Sequence, residues 1–409
     1  MDMRSISRSF KVVATVLFLG TCMSQLQAQS FLGDYFEAAA AAIPNRLSLT
    51  LFDEVRYNDN IGDRADNKVG SFINEAGLTL DWYKNYENGM YGIIGDISYE
   101  YYVKDAKKAN GDSYDLSEFK WNISPFILGG IELLGDDRLM FTLSSRSINE
   151  KYDSSDTERT THIDNMAGMT YDMQKYAHWG VALSAKYLNK YYTDSDYKDH
   201  SYQKYTFGVA PYYKLTPKIK LGVNNSYSER KYRNNKKHDD SKTYEIMPFV
   251  DYRQSSQFSV HLGAGLSRTE YTGISRNTNG DGDWVPVTNL TFRYFPVSNF
   301  LLSYISTIEW EDSGASHAGG RVSYYNSIRA TWEITPKISF TPGVSMDIQD
   351  ERASIYDSTE YTVFANLNYK ISEHVSTYLG YEYESIKYKY RSSRNYEVNE
   401  IWLGVKLTY

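Results

Sequence analysis

The chain is predicted to be all-β, a single transmembrane antiparallel barrel of about 18 strands with short periplasmic turns and longer polar extracellular loops. Three observations lead to this reading. Apolar and polar residues alternate with period two in segment after segment. Tyrosine is abundant, at 39 residues, and its apolar ring with a polar tip suits a bilayer interface. Beyond the leader no stretch reaches about 18 consecutive apolar residues, so any crossing of a membrane must be made by strands.

The first segment reads as an export signal. Arg4, Arg8 and Lys11 precede the apolar run VVATVLFLG (Val12 to Gly20), and LQA (Leu26 to Ala28) supplies a cleavage site. Residues 1–28 are therefore expected to be removed; the run is too short for a spanning helix. Cys22, the only cysteine, follows Leu19-Gly20-Thr21, where Thr stands in place of the small residue of an acylation box. Read as part of the discarded leader, it leaves a mature chain without disulfides or cysteine metal sites. Residues 29–45, with Phe31, Tyr35, Phe36 and the run Ala38 to Ala42 before Pro44, form a periplasmic segment, either helical or a disordered lead into the first strand.

Residues 46–409 carry the barrel pattern. From Tyr91 the odd positions are Tyr91, Ile93, Gly95, Ile97, Tyr99, Tyr101 and Val103, against Asp96, Ser98, Glu100 and Lys104. From Ile338 the outward set is Ile338, Phe340, Pro342, Val344, Met346 and Ile348, against Ser339, Thr341, Ser345, Asp347 and Gln349. Tight connections near Glu87-Asn88, Gly135 to Asp137, Tyr176-Ala177, Thr216 to Lys218, Ser255-Ser256, Pro296 to Asn299, Thr335 to Lys337 and Ser372-Glu373 alternate with longer polar stretches. Eight turns and nine loops separate 18 strands, an even number that returns both ends to the periplasmic side. KLTPKIKLG at 214–222 echoes EITPKISFTPG at 333–343, the mark of a hairpin repeat rather than a solenoid.

The last residues, IWLGVKLTY, place Ile401, Leu403, Val405, Leu407 and Tyr409 on one face. A strand at this position is expected to pair with the first one, near Leu47, because closure removes both sheet edges. Leu403, Val405, Leu407 and Tyr409 resemble the terminal aromatic segments of outer-membrane proteins, and that resemblance implies an assembly signal for the barrel-insertion machinery. The formal charge of −7 includes the basic leader, and without it the chain carries about −9, which argues against a nucleic-acid partner.

The opening LSLTLFDEVRYNDNIGD (Leu47 to Asp63) resembles the start of the β-barrel porin 2 family of bacterial outer-membrane proteins. So do the strand prolines Pro125 in ISPFILG, Pro211 in VAPYYKL and Pro248 in IMPFVDY, where bulges or rim positions are expected because proline donates no ladder hydrogen bond. The resemblance covers roughly residues 46–409. It implies an outer-membrane barrel of a Gram-negative-type bacterium, discussed alongside exopolysaccharide production or export, and it brings no functional residue.

Several constellations bear on chemistry. His261 is the one histidine expected mid-strand on the inner face, with Ser259 and Ser267 beside it, but no nucleophile motif accompanies it, so the chain is read as no enzyme. Asn277, Asn279, Asp281 and Asp283 have the oxygen spacing of half a calcium loop without its closing Glu, and neither metal nor cofactor is implied. Pore-lining residues are expected at Arg146, Lys186, Arg230, Arg293, Arg321 and Arg329, with Glu75, Asp96, Glu100, Asp251, Asp347, Glu382 and Glu384. Opposed charge rows set up a transverse field that favours polar solutes. The expected role is passive passage of small hydrophilic solutes, saccharides included, with outer-membrane lipid and lipopolysaccharide outside. A non-conducting barrel that binds or helps export exopolysaccharide is the alternative.

Overall fold

Eighteen strands close into one antiparallel barrel in the computed structural model. It describes residues 46–61, 68–86, 89–104, 106–107, 113–114, 117–132, 137–151, 159–174, 178–233, 239–255, 257–272, 282–312, 320–351, 357–390 and 394–409. The expected signal peptide at 1–28, the 29–45 segment and most of the calcium-like loop lie outside these residues. The strands are β1 (Arg46–Asn58), β2 (Ser71–Tyr86), β3 (Gly89–Tyr102), β4 (Glu118–Glu132), β5 (Arg138–Lys151), β6 (Arg159–Met173), β7 (Trp179–Tyr192), β8 (Tyr202–Thr216) and β9 (Ile219–Tyr232). They continue as β10 (Asp240–Ser255), β11 (Phe258–Thr272), β12 (Trp284–Val297), β13 (Phe300–Asp312), β14 (Gly320–Thr335), β15 (Ile338–Glu351), β16 (Ser358–Lys370), β17 (Val375–Tyr388) and β18 (Tyr396–Thr408). Each pairs with the next, and β1 pairs with β18 over Thr50↔Thr408 to Asn58↔Glu400.

The closing seam continues past both ends of that ladder. At the turn end the backbone N–H of Tyr409 donates to the Leu49 carbonyl at 2.9 Å and Leu49 donates back at 3.1 Å. At the loop end the Asp59 carboxylate accepts from the Asn399 backbone at 2.7 Å and from its amide at 2.8 Å. Asn60, fully buried, donates to the Glu397 carbonyl at 3.2 Å, and Ile61 packs against Ile73, Val69 and Tyr102. The start of the first loop thus folds over the junction of the two strands most distant in sequence, satisfying backbone groups that an open edge would expose.

The two faces follow from alternation. Leu47 is 71% exposed and Leu403 58%, and with Leu49, Leu51, Val55, Ile401 and Val405 they form an apolar exterior across the seam, broken by Asp53. Aromatic pairs mark two levels on this exterior. Trp82–Tyr91 and Trp179–Tyr213, with centroids 5.7 and 4.8 Å apart, lie toward the turns. Toward the loops lie Tyr57–Phe72, Tyr187–Tyr205 and Tyr227–Tyr244, each 5.1 Å apart. Such girdles stand where a bilayer's two interfaces fall. Above the second level the outer face turns polar at Glu229, Lys231, Lys242, Arg268 and Glu270, so the strands rise beyond the membrane on the loop side.

The repeated TPK sequence has a repeated structure. Thr216 Oγ1 accepts from the N–H groups of Lys218 and Ile219, both at 3.1 Å, and Thr335 Oγ1 accepts from Lys337 and Ile338 at 3.2 and 3.1 Å. A register shift accompanies each turn, between Lys214 and Thr216 and between Glu333 and Thr335. The prolines behave differently from expectation. Pro125, Pro211 and Pro248 lie mid-strand on the outer face and keep register with β3, β7 and β9, while the ladder to the neighbour on the other side is interrupted and then resumes. No register shift occurs at any of the three; a missing N–H costs pairing on one side only, so a one-sided gap suffices.

Glycines on the inner face admit rings from the next strand. A Cβ at Gly343 would fall 2.3 Å from the Phe364 ring, and one at Gly380 would fall 2.0 Å from Trp402. The ring covers the glycine's backbone and fills the missing side chain's volume, pinning register.

Candidate pore lining

Register fixes which side chains face the lumen, since paired residues share a face. Arg146, Lys186, Arg230, Arg293, Arg321, Arg329, Glu75, Asp96, Glu100, Asp251, Asp347, Glu382 and Glu384 all fall on the face opposite the apolar exterior. Among the side chains the structure describes, the inward charges are segregated around the wall. On β5–β9 they are Arg138, Arg146, Lys186, Lys190, Lys204, Lys214, Lys220 and Arg230, against Asp164 and Asp172. On β15–β18 and β1–β3 they are Asp347, Glu360, Glu382, Glu384, Glu400, Glu54, Glu75, Asp81, Asp96 and Glu100, against Arg56, Lys370 and Lys406. These two arcs lie on different sides of the barrel, and the strands between them carry both signs.

At the acidic arc the centre is Arg56 on β1. Its guanidinium donates to Glu75 Oε2 at 2.6 Å and Glu100 Oε1 at 2.8 Å, and forms ion pairs with Glu400 at 2.9 Å and Glu54 at 3.4 Å. Lys120 Nζ reaches Glu75 at 3.1 Å and also bonds Glu100, whose side chain is 2% exposed. Ser98 donates to Glu75 Oε1 at 2.7 Å. Five strands meet here, and four carboxylates against two cations leave the knot net acidic. Beside it, Asn58, Tyr102, Glu382, Glu384, Val398 and Glu400 line a recess toward the loops.

Across the barrel a second knot joins β9, β10 and β11. His261 Nδ1 lies 2.5 Å from Asp251 Oδ1, Lys220 Nζ pairs with the other carboxylate oxygen at 3.3 Å, and Phe249 stacks on the imidazole at 5.9 Å. The His261 Nε2 is buried, and among the described residues no hydroxyl bonds to it. Tyr212, under the Lys220 ammonium at 5.0 Å, donates to Asp172 at 2.7 Å.

Five of the remaining expected lining residues are held by polar or aromatic neighbours. Arg146 Nε donates to Asn122 at 2.8 Å, and Arg321 Nη1 donates to Gln349 at 2.9 Å. Arg230 lies 4.6 Å over Tyr202 and Arg329 5.0 Å over Phe364. Asp347 accepts from Ser323 and Gln349, each at 2.9 Å, and Arg293 is buried. Sequence reasoning missed Arg56, Glu54, Lys120 and Glu400. Alternation carried the signal for all four: Glu54 and Arg56 sit between Asp53, Val55 and Tyr57 on the other face, Lys120 lies between Phe119 and Trp121, and Glu400 precedes the apolar Ile401.

A closed antiparallel barrel with a lipid-compatible exterior, two aromatic levels and a charged interior is an outer-membrane β-barrel protein. No protein-family model matches the chain, and no curated protein matches it, so the resemblance to the β-barrel porin 2 family finds no counterpart at that level. Similar solved structures include OccAB3 of Acinetobacter baumannii, at 12% identity over 89% of this chain and 98% of that one, TM-score 0.43. Another is OpdK of Pseudomonas aeruginosa, solved with vanillate, at 8% identity over 89% and 99% of the two chains, TM-score 0.45. The FrpB iron transporter of Neisseria meningitidis is similar at 10% identity over 90% and 84%, TM-score 0.44. At these identities and scores nothing about solute or mechanism carries across.

Proposed function

We propose that the barrel is a porin-like channel for passive passage of small hydrophilic solutes, saccharides included, through the outer membrane. The observation that carries this is the segregated charge of the inner wall, basic on β5–β9 and acidic on β15–β18 and β1–β3. Barrels of this strand number are wide enough for an aqueous channel. Arg146, Lys186 and Arg230 line one side of the path, with Asp96, Glu382 and Glu400 on the other. The wall acts by field and hydrogen bonding, and the barrel has no catalytic role and no resident metal or cofactor in this reading. Purified, folded protein in planar bilayers should give discrete conductance steps; folded barrels that never conduct would overturn it.

The second reading is a non-conducting barrel that binds exopolysaccharide. It is favoured by rings gathered at the loop side, where Tyr192, Tyr197 and His200 pack within 6.3 Å of one another and Arg233 lies 5.3 Å from the Tyr191 ring. Stacking surfaces of this kind suit sugar faces. A deletion strain separates the two: lost solute uptake with unchanged polysaccharide secretion supports the channel, and the converse supports the glycan partner.

A further inference from the structure

We propose that the mid-lumen of this barrel selects zwitterionic solutes, with Lys186 on one wall engaging the anionic end and Glu382 on the facing wall the cationic end. The proposal rests on the channel reading and names its substrate class. Lys186 is the eighth residue of β7 counted from the turn rim, and Glu382 is the eighth of β17 counted from the same rim. They therefore stand at one level. In a closed circuit of 18 strands, β7 and β17 are eight steps apart one way and ten the other, so they face each other nearly across the diameter. Asp96, the eighth residue of β3, adds a further carboxylate at this level on the acidic side.

What distinguishes these groups is that no direct bond ties their charge to a neighbour. The Arg56 and Asp251 knots neutralise much of their charge internally through bonds of 2.5–3.4 Å. Among the described residues, no hydrogen bond or ion pair engages the ammonium of Lys186 or the carboxylates of Glu382 and Asp96. All three are half-buried, set into low-dielectric walls that focus field lines across the lumen. A simple anion is drawn to Lys186 and repelled by the opposite wall; a simple cation meets the reverse. A neutral solute gains from neither. A solute with both charges, such as an amino acid, aligns along the field and is stabilised at both ends, which raises its concentration at the level it must pass.

The test is liposome swelling with the full-length folded protein, comparing γ-aminobutyrate with the neutral 4-hydroxybutyramide of similar size. At low ionic strength the zwitterion should enter severalfold faster. The margin should shrink at about 1 M salt, where the screening length falls to about 3 Å. Lys186→Gln and Glu382→Gln, made from opposite walls and each checked for heat-modifiable gel mobility, should both reduce the margin. Equal rates for the two solutes, or a margin unmoved by both substitutions, overturns the proposal and leaves the channel reading standing. Entry of neither solute overturns the channel reading and the proposal together.

Discussion

Replacing Arg56 with Met removes the hub of the acidic knot while keeping most of the side chain's length. Two hydrogen bonds to carboxylates disappear, at 2.6 Å to Glu75 and 2.8 Å to Glu100, together with ion pairs to Glu400 and Glu54. Hydrogen bonds to charged groups contribute about 1.5–3 kcal/mol each. Breaking a buried pair by removing one partner costs about 3–5 kcal/mol, because the other charge stays behind without compensation. Glu100 is the group stranded, at 2% exposure, although Lys120 remains bonded to it and offsets part of the loss. The expected destabilisation is therefore about 3 kcal/mol. It is read as the shift in urea midpoint for reversible folding into thin phosphatidylcholine vesicles, followed by tryptophan fluorescence and gel mobility. The double variant Arg56→Met, Glu100→Gln should recover part of the loss, since the most buried carboxylate is then uncharged while Lys120 keeps its partner Glu75. A single-variant loss below about 1 kcal/mol would refute the reasoning, showing that lumen water screens these charges as it does at an open surface.

Three further outcomes are expected. The Asp194 carboxylate, in the loop after β7, accepts from Thr160 Oγ1 at 2.7 Å and the Thr161 N–H at 2.9 Å, and the hydroxyl first and the N–H second hold it below the usual carboxylate range. A depressed folded value stabilises above the ordinary carboxylate pKa, and that stability is lost as pH falls through the lower one; Thr160→Val leaves the Thr161 N–H in place and should raise the Asp194 value in a carbon-detected NMR titration and reduce this slope, a change of a few tenths of a kcal/mol at so exposed a site. Asp53 lies on the outer face between the two aromatic levels, with only the Asn74 amide at 2.9 Å for company, so Asp53→Leu should stabilise the barrel in vesicles by about 1 kcal/mol, and destabilisation would show that this face is covered. Tyr409 stacks on His374 at 6.5 Å on the turn rim, and Tyr409→Ala should lower the yield of heat-modifiable barrel in cells more than the conductance of each pore, as measured by outer-membrane gel analysis and single-channel recording.

The strand and turn layout was legible because lipid outside and water inside impose period two on every strand, and a one-residue slip would invert it. TPK at 216–218 and 335–337 was legible as a repeat, and the structure gives the cause in Thr Oγ1 accepting two backbone N–H groups. The inward assignment of Arg146, Lys186 and Glu382 follows from the same alternation. Partnership was not legible. Arg56 finds Glu100 two strands away, and Glu400 at the far end of the chain, which only closure brings near. Likewise, whether Pro125, Pro211 and Pro248 force a bulge depends on which neighbour would have received the missing N–H, which alternation does not encode.

The segregation of charge around the wall follows from a constraint on such a barrel. A cation and a carboxylate on neighbouring strands pair, as Lys220 and Asp251 do, and their field at the centre of the lumen largely cancels. Charges of one sign grouped on adjacent strands cannot pair locally, and that repulsion weakens the wall unless an opposite charge is planted inside the group. Arg56 among four glutamates is such a plant: it relieves repulsion where Glu54, Glu75, Glu100 and Glu400 crowd together, yet leaves the knot net acidic. Stability and field are thus balanced at one residue. Arg56→Met should strengthen cation preference in reversal-potential measurements even as it weakens the fold, a combination that a merely structural arginine would not produce.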